Sequence, residues 1–413
     1  MKKSSLPLTQ RIPGVFVALL LLTAPVQAEN EIPRTFGDAL ASGKTTVSLR
    51  YRFETVDQDG FDREAEASTL RTTLSYGSAP YRGFRVFLEA ENVTAVGDDD
   101  GYNNAGADSL NNGVRDRPVV ADPEITEILQ AYLEWTGGET TLRLGRQKID
   151  LGNQRFVGSV GWRQHHQSFT AVSLVNRTFE KTTLGYHYLD RAHRIFGDRQ
   201  DMSSHLLHLE FGLGQDSSLT AYGYLLDYED PADALASTWT YGLRWAGKQA
   251  LDRTRISYAF EAALQEDAGD NPRDVDADYF LAELGIGSKA LSITAGYEVL
   301  SGSPEDGAFS TPLATLHKFN GWADKFLRTP AQGLVDLYGG LGGTQGSFSW
   351  KIIYHDFSPE GDGEDYGTEL DVLATYKSRN GLSFGLKAAF YEAEALATDT
   401  EKIMAWTAYK FSR

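Results

Sequence analysis

Residues 142–169 read LRLGRQKIDLGNQRFVGSVGWRQHHQSF and carry Arg143, Arg146, Lys148, Arg155 and Arg163 in a chain of formal net charge −18. A guanidinium is planar, permanently charged, and grips a carboxylate through two parallel N–H donors. A local run of such groups in an acidic protein suits two tasks. It braces a wall by pairing with carboxylates, or it offers stations to a mobile anion. Other chemistries find less support. His165 and His166 invite a metal reading, but neighbours on a strand point opposite ways, and no Asp, Glu or His set is spaced to complete a site. No nucleophile motif and no glycine-rich phosphate loop is present, so neither an enzyme nor a bound cofactor is expected. The net charge of −18 argues against a nucleic-acid partner.

The elements that must position these residues repeat with a period of two. In TVSLRYRFET, Val47, Leu49, Tyr51 and Phe53 face one way, while Ser48, Arg50, Arg52 and Glu54 face the other. Leu70, Leu74 and Tyr76 oppose Arg71, Thr73 and Ser75; Phe84, Val86 and Leu88 oppose Arg85, Phe87 and Glu89. Eighteen candidate strands follow: 44–55, 66–76, 81–94, 125–135, 140–149, 167–176, 179–190, 203–212, 217–228, 237–247, 253–265, 277–287, 291–300, 333–342, 346–357, 366–377, 381–393 and 402–411. Their connections alternate between tight polar turns, such as GSAP (77–80), TGGE (136–139) and SRNG (378–381), and long acidic stretches at 98–124, 150–166 and 301–332.

A soluble sandwich has no reason to sort its loops by length, and its two faces are not so unlike. A transmembrane barrel does both: its apolar face meets lipid, its polar face lines water, and closure pairs every backbone group. The expected fold class is therefore all-β, an antiparallel up-and-down transmembrane β-barrel of about 18 strands, with short periplasmic turns and long extracellular loops. A lumen of this size holds an aqueous channel unless loops plug it. Its wall would include Arg50, Arg52, Arg71, Arg85, Arg143, Arg244, Arg255, Lys351 and Lys387 beside Glu54, Glu89, Glu91, Glu261, Glu369 and Asp371. Lys2, Lys3 and Arg11, a short apolar run, and Val26-Gln27-Ala28 read as a cleaved signal peptide over 1–28. Residues 29–43 would be a short periplasmic segment and 44–413 one barrel domain. The absence of cysteine fits an oxidising compartment. The expected location is the outer membrane of a Gram-negative bacterium, in contact with lipid and lipopolysaccharide. Asp98-Asp99-Asp100 reads as a solvated loop, and LHKFNGWADKF (316–326) as a short amphipathic loop helix that packs on the barrel.

LGRQKIDLGNQRFVGSVGWRQHHQSF (144–169) resembles a segment typical of the alginate export family of outer-membrane barrels, and TPLATLHKFNGWADKFLRTPAQGLVDLY (311–338) resembles that family's second marked stretch. The resemblance implies passive passage of an anionic polysaccharide or acidic sugar through an arginine-lined, anion-selective pore, with periplasmic export partners. It implies Arg143, Arg146, Arg155 and Arg163 as pore residues, with Asp150 as their pairing partner. It also implies Lys318, Asp324 and Lys325 in a long loop folded into or over the mouth. Two alternatives stay open: a general uptake porin for small anions or nutrients, and a closed structural or adhesive barrel. One conflict remains inside the pattern. Strict alternation puts Arg146 and Lys148 on the lipid face with Leu142 and Leu144, at a cost of about 2–4 kcal/mol per mid-bilayer charge. The expected resolution is a bulge or strand end near Gly145 that turns the chain inward.

Overall fold

Alternation becomes pairing wherever two such strands meet in register, because a slip of one residue would turn every lipid-facing side chain into the lumen. The computed structural model describes residues 33–252, 254–305 and 307–413. The signal peptide expected over 1–28, and the first residues of the segment expected over 29–43, lie outside the described residues. The strands are β1 (Lys44–Gln58), β2 (Ala65–Gly77), β3 (Phe84–Ala95), β4 (Ile125–Gly137), β5 (Thr140–Gln147), β6 (Ser168–Asn176), β7 (Thr182–His193), β8 (Arg199–Gly212) and β9 (Ser217–Leu226). They continue as β10 (Thr238–Leu251), β11 (Thr254–Asp267), β12 (Asp276–Gly287), β13 (Ser292–Leu300), β14 (Leu334–Gln345), β15 (Phe348–Ser358), β16 (Gly367–Lys377), β17 (Leu382–Ala393) and β18 (Thr400–Ser412).

Each strand pairs antiparallel with its sequence neighbours in an 18-stranded sheet. Closure comes from β1 against β18, in register from Thr46 opposite Ser412 to Gln58 opposite Thr400. All eighteen expected strands are present, with ends shifted by a few residues. The strand expected over 140–149 stops at Gln147, and that expected over 203–212 begins at Arg199. The outer wall is apolar: Leu74, Leu88, Leu144, Leu207, Leu243, Leu284, Leu337 and Leu386 are all exposed there. Aromatic residues band both ends of this wall. Phe84, Trp135, Phe348, Phe384 and Tyr409 lie toward the turns; Phe53, Trp239, Phe280, Tyr297 and Tyr354 lie toward the loops. Such girdles sit at the two membrane interfaces.

Connection length is less regular than the sequence suggests. Loops 59–64, 194–198 and 394–399 are as short as turn 78–83, so the outer end is built mainly from 96–124, 148–167 and 301–333. The short helix Phe36–Ala41, capped by Thr35, closes against the turn end through Ala79 N–H donated to the Ala39 carbonyl at 3.0 Å.

Candidate functional site

Two of the long loops fold into the barrel and join each other there. Val157 and Leu313 form a parallel bridge. Gly158 N–H donates to Leu313 O at 2.9 Å, Thr315 N–H to Gln154 O at 3.1 Å, and Gln167 Nε2 to Leu313 O at 3.1 Å. Gly158 is required at this crossing, since a Cβ there would lie 2.2 Å from Thr315 Oγ1. The joined loops bury Phe156, Phe309, Leu313, Trp322 and Phe326 against wall residues Tyr222, Tyr279, Phe357 and Tyr391. Phe156 meets the Tyr279 ring edge-on at 5.4 Å, and Phe326 lies 4.3 Å from the Phe357 ring. Each aromatic pair adds roughly 0.5–1.5 kcal/mol beyond its area burial. The lumen is thus narrowed from within by loop 148–167 lying on loop 301–333.

A buried ion network fastens both loops to the wall. Asp324 accepts from Arg163 Nη2 at 2.9 Å, Lys402 Nζ at 2.8 Å and His317 Nδ1 at 2.7 Å. Burial opposes its ionisation, but His317, Lys402 and Arg163 outweigh that cost and hold its carboxyl well below the usual range. His317 Nε2 takes a hydrogen bond from Lys387 Nζ at 3.0 Å, which fixes the neutral Nδ1–H tautomer. Burial, with Lys387 close by, brings the His317 pKa down to about 3. Lys387 itself is clamped between the Trp162 and Trp322 rings at 4.0 and 4.1 Å, one ring from each loop. Arg163 also reaches Glu54 at 3.4 Å, and Glu54 reaches Arg52 at 3.4 Å. Arg52 pairs with Asp122 of the 96–124 loop, donates to Trp162 O at 2.7 Å and lies over the Trp162 ring. Arg50 holds the same loop by its backbone, donating to Gly161 O at 3.1 Å and to Arg163 O.

Around β5 the expected inward turn occurs. Gly145 has φ +126, and a Cβ there would lie 2.3 Å from Ala131 O. This kink puts Arg143 and Arg146 on the same inner face with the exposed Leu144 between them. On β4 the register shifts between Glu89 and Ala90 of β3, and the extra residue, Leu129, is fully buried. Arg146 Nη2 then meets Glu127 at 2.5 Å, Lys148 Nζ meets Glu89 at 3.1 Å, and Arg143 Nε meets Glu134 at 2.5 Å. Arg85 approaches the same Glu134 at 3.5 Å. His165 bridges Glu91 (2.8 Å) and Glu127 (3.1 Å). Burial works against its charge, yet the two carboxylates raise its pKa. Arg71 pairs with Glu91 at 2.7 Å and donates to His166 Nε2 at 2.6 Å; burial and Arg71 together keep His166 neutral.

Several expectations need correction. Asp150 pairs with none of the arginines; it accepts from Ser159 N–H at 2.7 Å and Ser159 Oγ at 3.2 Å and so caps the loop turn. Arg155 instead meets Glu298 at 2.9 Å and Asn320 at 3.0 Å, and it is buried over Phe319. Stretch 316–326 is not an amphipathic helix. It has one 3₁₀ turn, Leu316–Lys318, because the residues after it reach inward to separate wall partners. Lys318 donates to Asn153 O at 2.7 Å, and Lys325 lies 5.9 Å from the Tyr391 ring; neither has an ion-pair partner among the described residues. Burial brings Lys325 down to about 8. Trp162, Trp322, His317, Asn320 and Glu298 were not singled out as site residues. The first four stand out in sequence only as Trp, His and Asn in loop-like stretches, while Glu298, on β13, carries no such signal. No group of three or more His, Cys, Asp or Glu is placed to hold a metal ion among the described residues.

Comparisons with known proteins agree with the barrel fold. A family model described as alginate export matches residues 44–308. Among solved structures, Pseudomonas aeruginosa OpdK with vanillate superposes with a TM-score of 0.71 at 13% identity, covering 91% of this chain and 100% of that one. Pseudomonas aeruginosa OccK9 (OpdG) gives 0.73 at 14% over 91% and 100%, and Acinetobacter baumannii OccAB2 gives 0.71 at 16% over 90% and 99%. At such identities the likeness is one of fold. No curated protein matches.

Proposed function

This chain belongs to the alginate export family, and on that premise we propose that it passes acidic sugars of the polyuronate type across the outer membrane by passive diffusion. The observation that carries the reading is a pair of part-exposed guanidiniums that share one carboxylate on the inner wall. Arg85 and Arg143 share the single carboxylate of Glu134, and both keep over a third of their side-chain surface in water. One guanidinium is therefore uncompensated, with donors left for a passing carboxylate. The same part of the lumen holds Arg177 and Lys148, the latter paired with Glu89, beside the carboxylates of Asp150 and Glu210. In a narrow, low-dielectric channel such charges focus their field on the permeating ion. The tightly paired Arg52, Arg155 and Arg163 serve instead to brace the in-folded loops.

The test is single-channel recording in a planar bilayer under a KCl gradient, followed by oligouronate. An anion-selective reversal potential and current block by the oligomer are expected, and Arg85→Gln with Arg143→Gln should weaken both. Cation preference without block would refute the reading.

One observation favours uptake of small organic anions as a second reading. A cavity at the loop end combines apolar Phe61, Ile195, Phe196 and Leu327 with the cation Lys325, while Lys402 in the same lining is held by Asp324. An aromatic carboxylate fits that mixture. Block by benzoate with indifference to oligouronate would select this second reading.

A further inference from the structure

The charge carried by the constriction is largely spent on its own carboxylates, whereas the turn end holds cations without a direct ion-pair partner among the described residues. One recess there is lined by Lys248, Arg255, Lys289 and Lys351. All four are exposed, and none has a carboxylate within ion-pair distance among the described residues. They come from β10, β11, the 288–291 turn and β15, so the barrel's closure brings them together rather than any sequence run. Hydroxyls of Ser257, Thr294 and Thr375 share the recess, and β14 contributes Gly340, Gly342 and Gly343, which leave its wall nearly bare of side chains.

The opposite rim has the reverse sign. Asp98-Asp99-Asp100, the stretch Asp227 to Asp233, Asp270 with Asp274, and Glu360 to Asp365 all lie in loops at that end. A carboxylate-bearing chain is thus repelled at the loop rim and gathered at the turn rim, where long-range fields raise its local concentration.

We propose that this turn-end vestibule is a loading site for the carboxylates of an acidic sugar chain arriving from the periplasm. The cations would hold successive uronate carboxylates, the hydroxyls would bond the ring hydroxyls, and the bare glycine wall would leave room for the rings. The inference rests on the reading of the lumen as a path for acidic sugars, and adds to it a side and a site.

The experiment uses trigalacturonate, with neutral maltotriose as control, on single channels of the full chain. Because the sequence has no cysteine, a Leu235→Cys label in an exposed loop reads each channel's orientation. Block should occur from the turn side at concentrations at least about tenfold lower than from the loop side. Combined Lys248→Gln, Arg255→Gln, Lys289→Gln and Lys351→Gln should raise the turn-side blocking concentration at least about tenfold and leave the loop-side value unchanged. The Lys248→Arg, Lys289→Arg and Lys351→Arg variant should keep block within about twofold of the parent, since charge is retained. Folding of every variant is checked by its heat-modifiable gel mobility. Equal block from both sides, or block indifferent to the glutamine variant, overturns the vestibule while leaving acidic-sugar passage intact. No block from either side overturns both.

Discussion

Asp324→Asn isolates what holds the inner loop in place. Asparagine keeps the shape of the side chain but removes the charge facing Arg163, Lys402 and the His317 N–H. Arg163 retains Glu54 at 3.4 Å, while Lys402 has no other ion-pair partner among the described residues. Both members of the Asp324–Lys402 pair are almost fully buried. Removing one partner of a buried pair costs about 3–5 kcal/mol, most of it from the stranded charge. At about 1.4 kcal/mol per factor of ten, that is roughly a hundred- to several-thousand-fold in the equilibrium for loop release. The assay is native-state amide exchange across 311–326, with β15 amides as an internal standard. Loop amides should lose protection by that factor, β15 should not change, and single channels should flicker to a larger conductance. A change below about threefold, on a loop that exchanges locally, would refute the reasoning. The loop would then be held by Trp322 and Phe326 packing, and the ion network would contribute nothing net.

Acid should loosen the same loop. His317 titrates at about 3, below the usual value near 6.5, so the unfolded segment binds the extra proton between those limits and stability falls as pH drops through that window. His165 has the opposite sign. Its raised pKa contributes stability that is complete below about 6.5 and is lost as pH rises through the folded value, so amide exchange in 148–167 should quicken on alkalinisation, and His165→Gln should abolish that dependence. Gly145→Ala places a Cβ against Ala131 O at positive φ. It should destabilise the β4–β5 edge by about 1–3 kcal/mol or more and lower the temperature of the gel-mobility transition. Arg155→Glu should disorder loop 148–167, because Glu298 would then face a second buried carboxylate; limited proteolysis within that loop reads the effect.

The period-two pattern by itself determined the barrel. Leu49 against Arg50 and Leu88 against Glu89 specify which face meets lipid, and a strand with one such face has one usable register. The conflict at Arg146 and Lys148 was also legible, because two charges on an apolar stripe beside a glycine imply a kink. Which arginine meets which carboxylate was decided only by tertiary structure. Arg155 and Glu298 are 143 residues apart, and no local rule relates them. Asp150 lies near the arginines in sequence but turns to Ser159, since a short side chain in a tight loop finds the adjacent N–H first. Loop residues carry no periodicity to show that 148–167 and 301–333 fold inward. The cations at the turn rim meet only because the sheet closes, which makes distant strand ends neighbours on one wall.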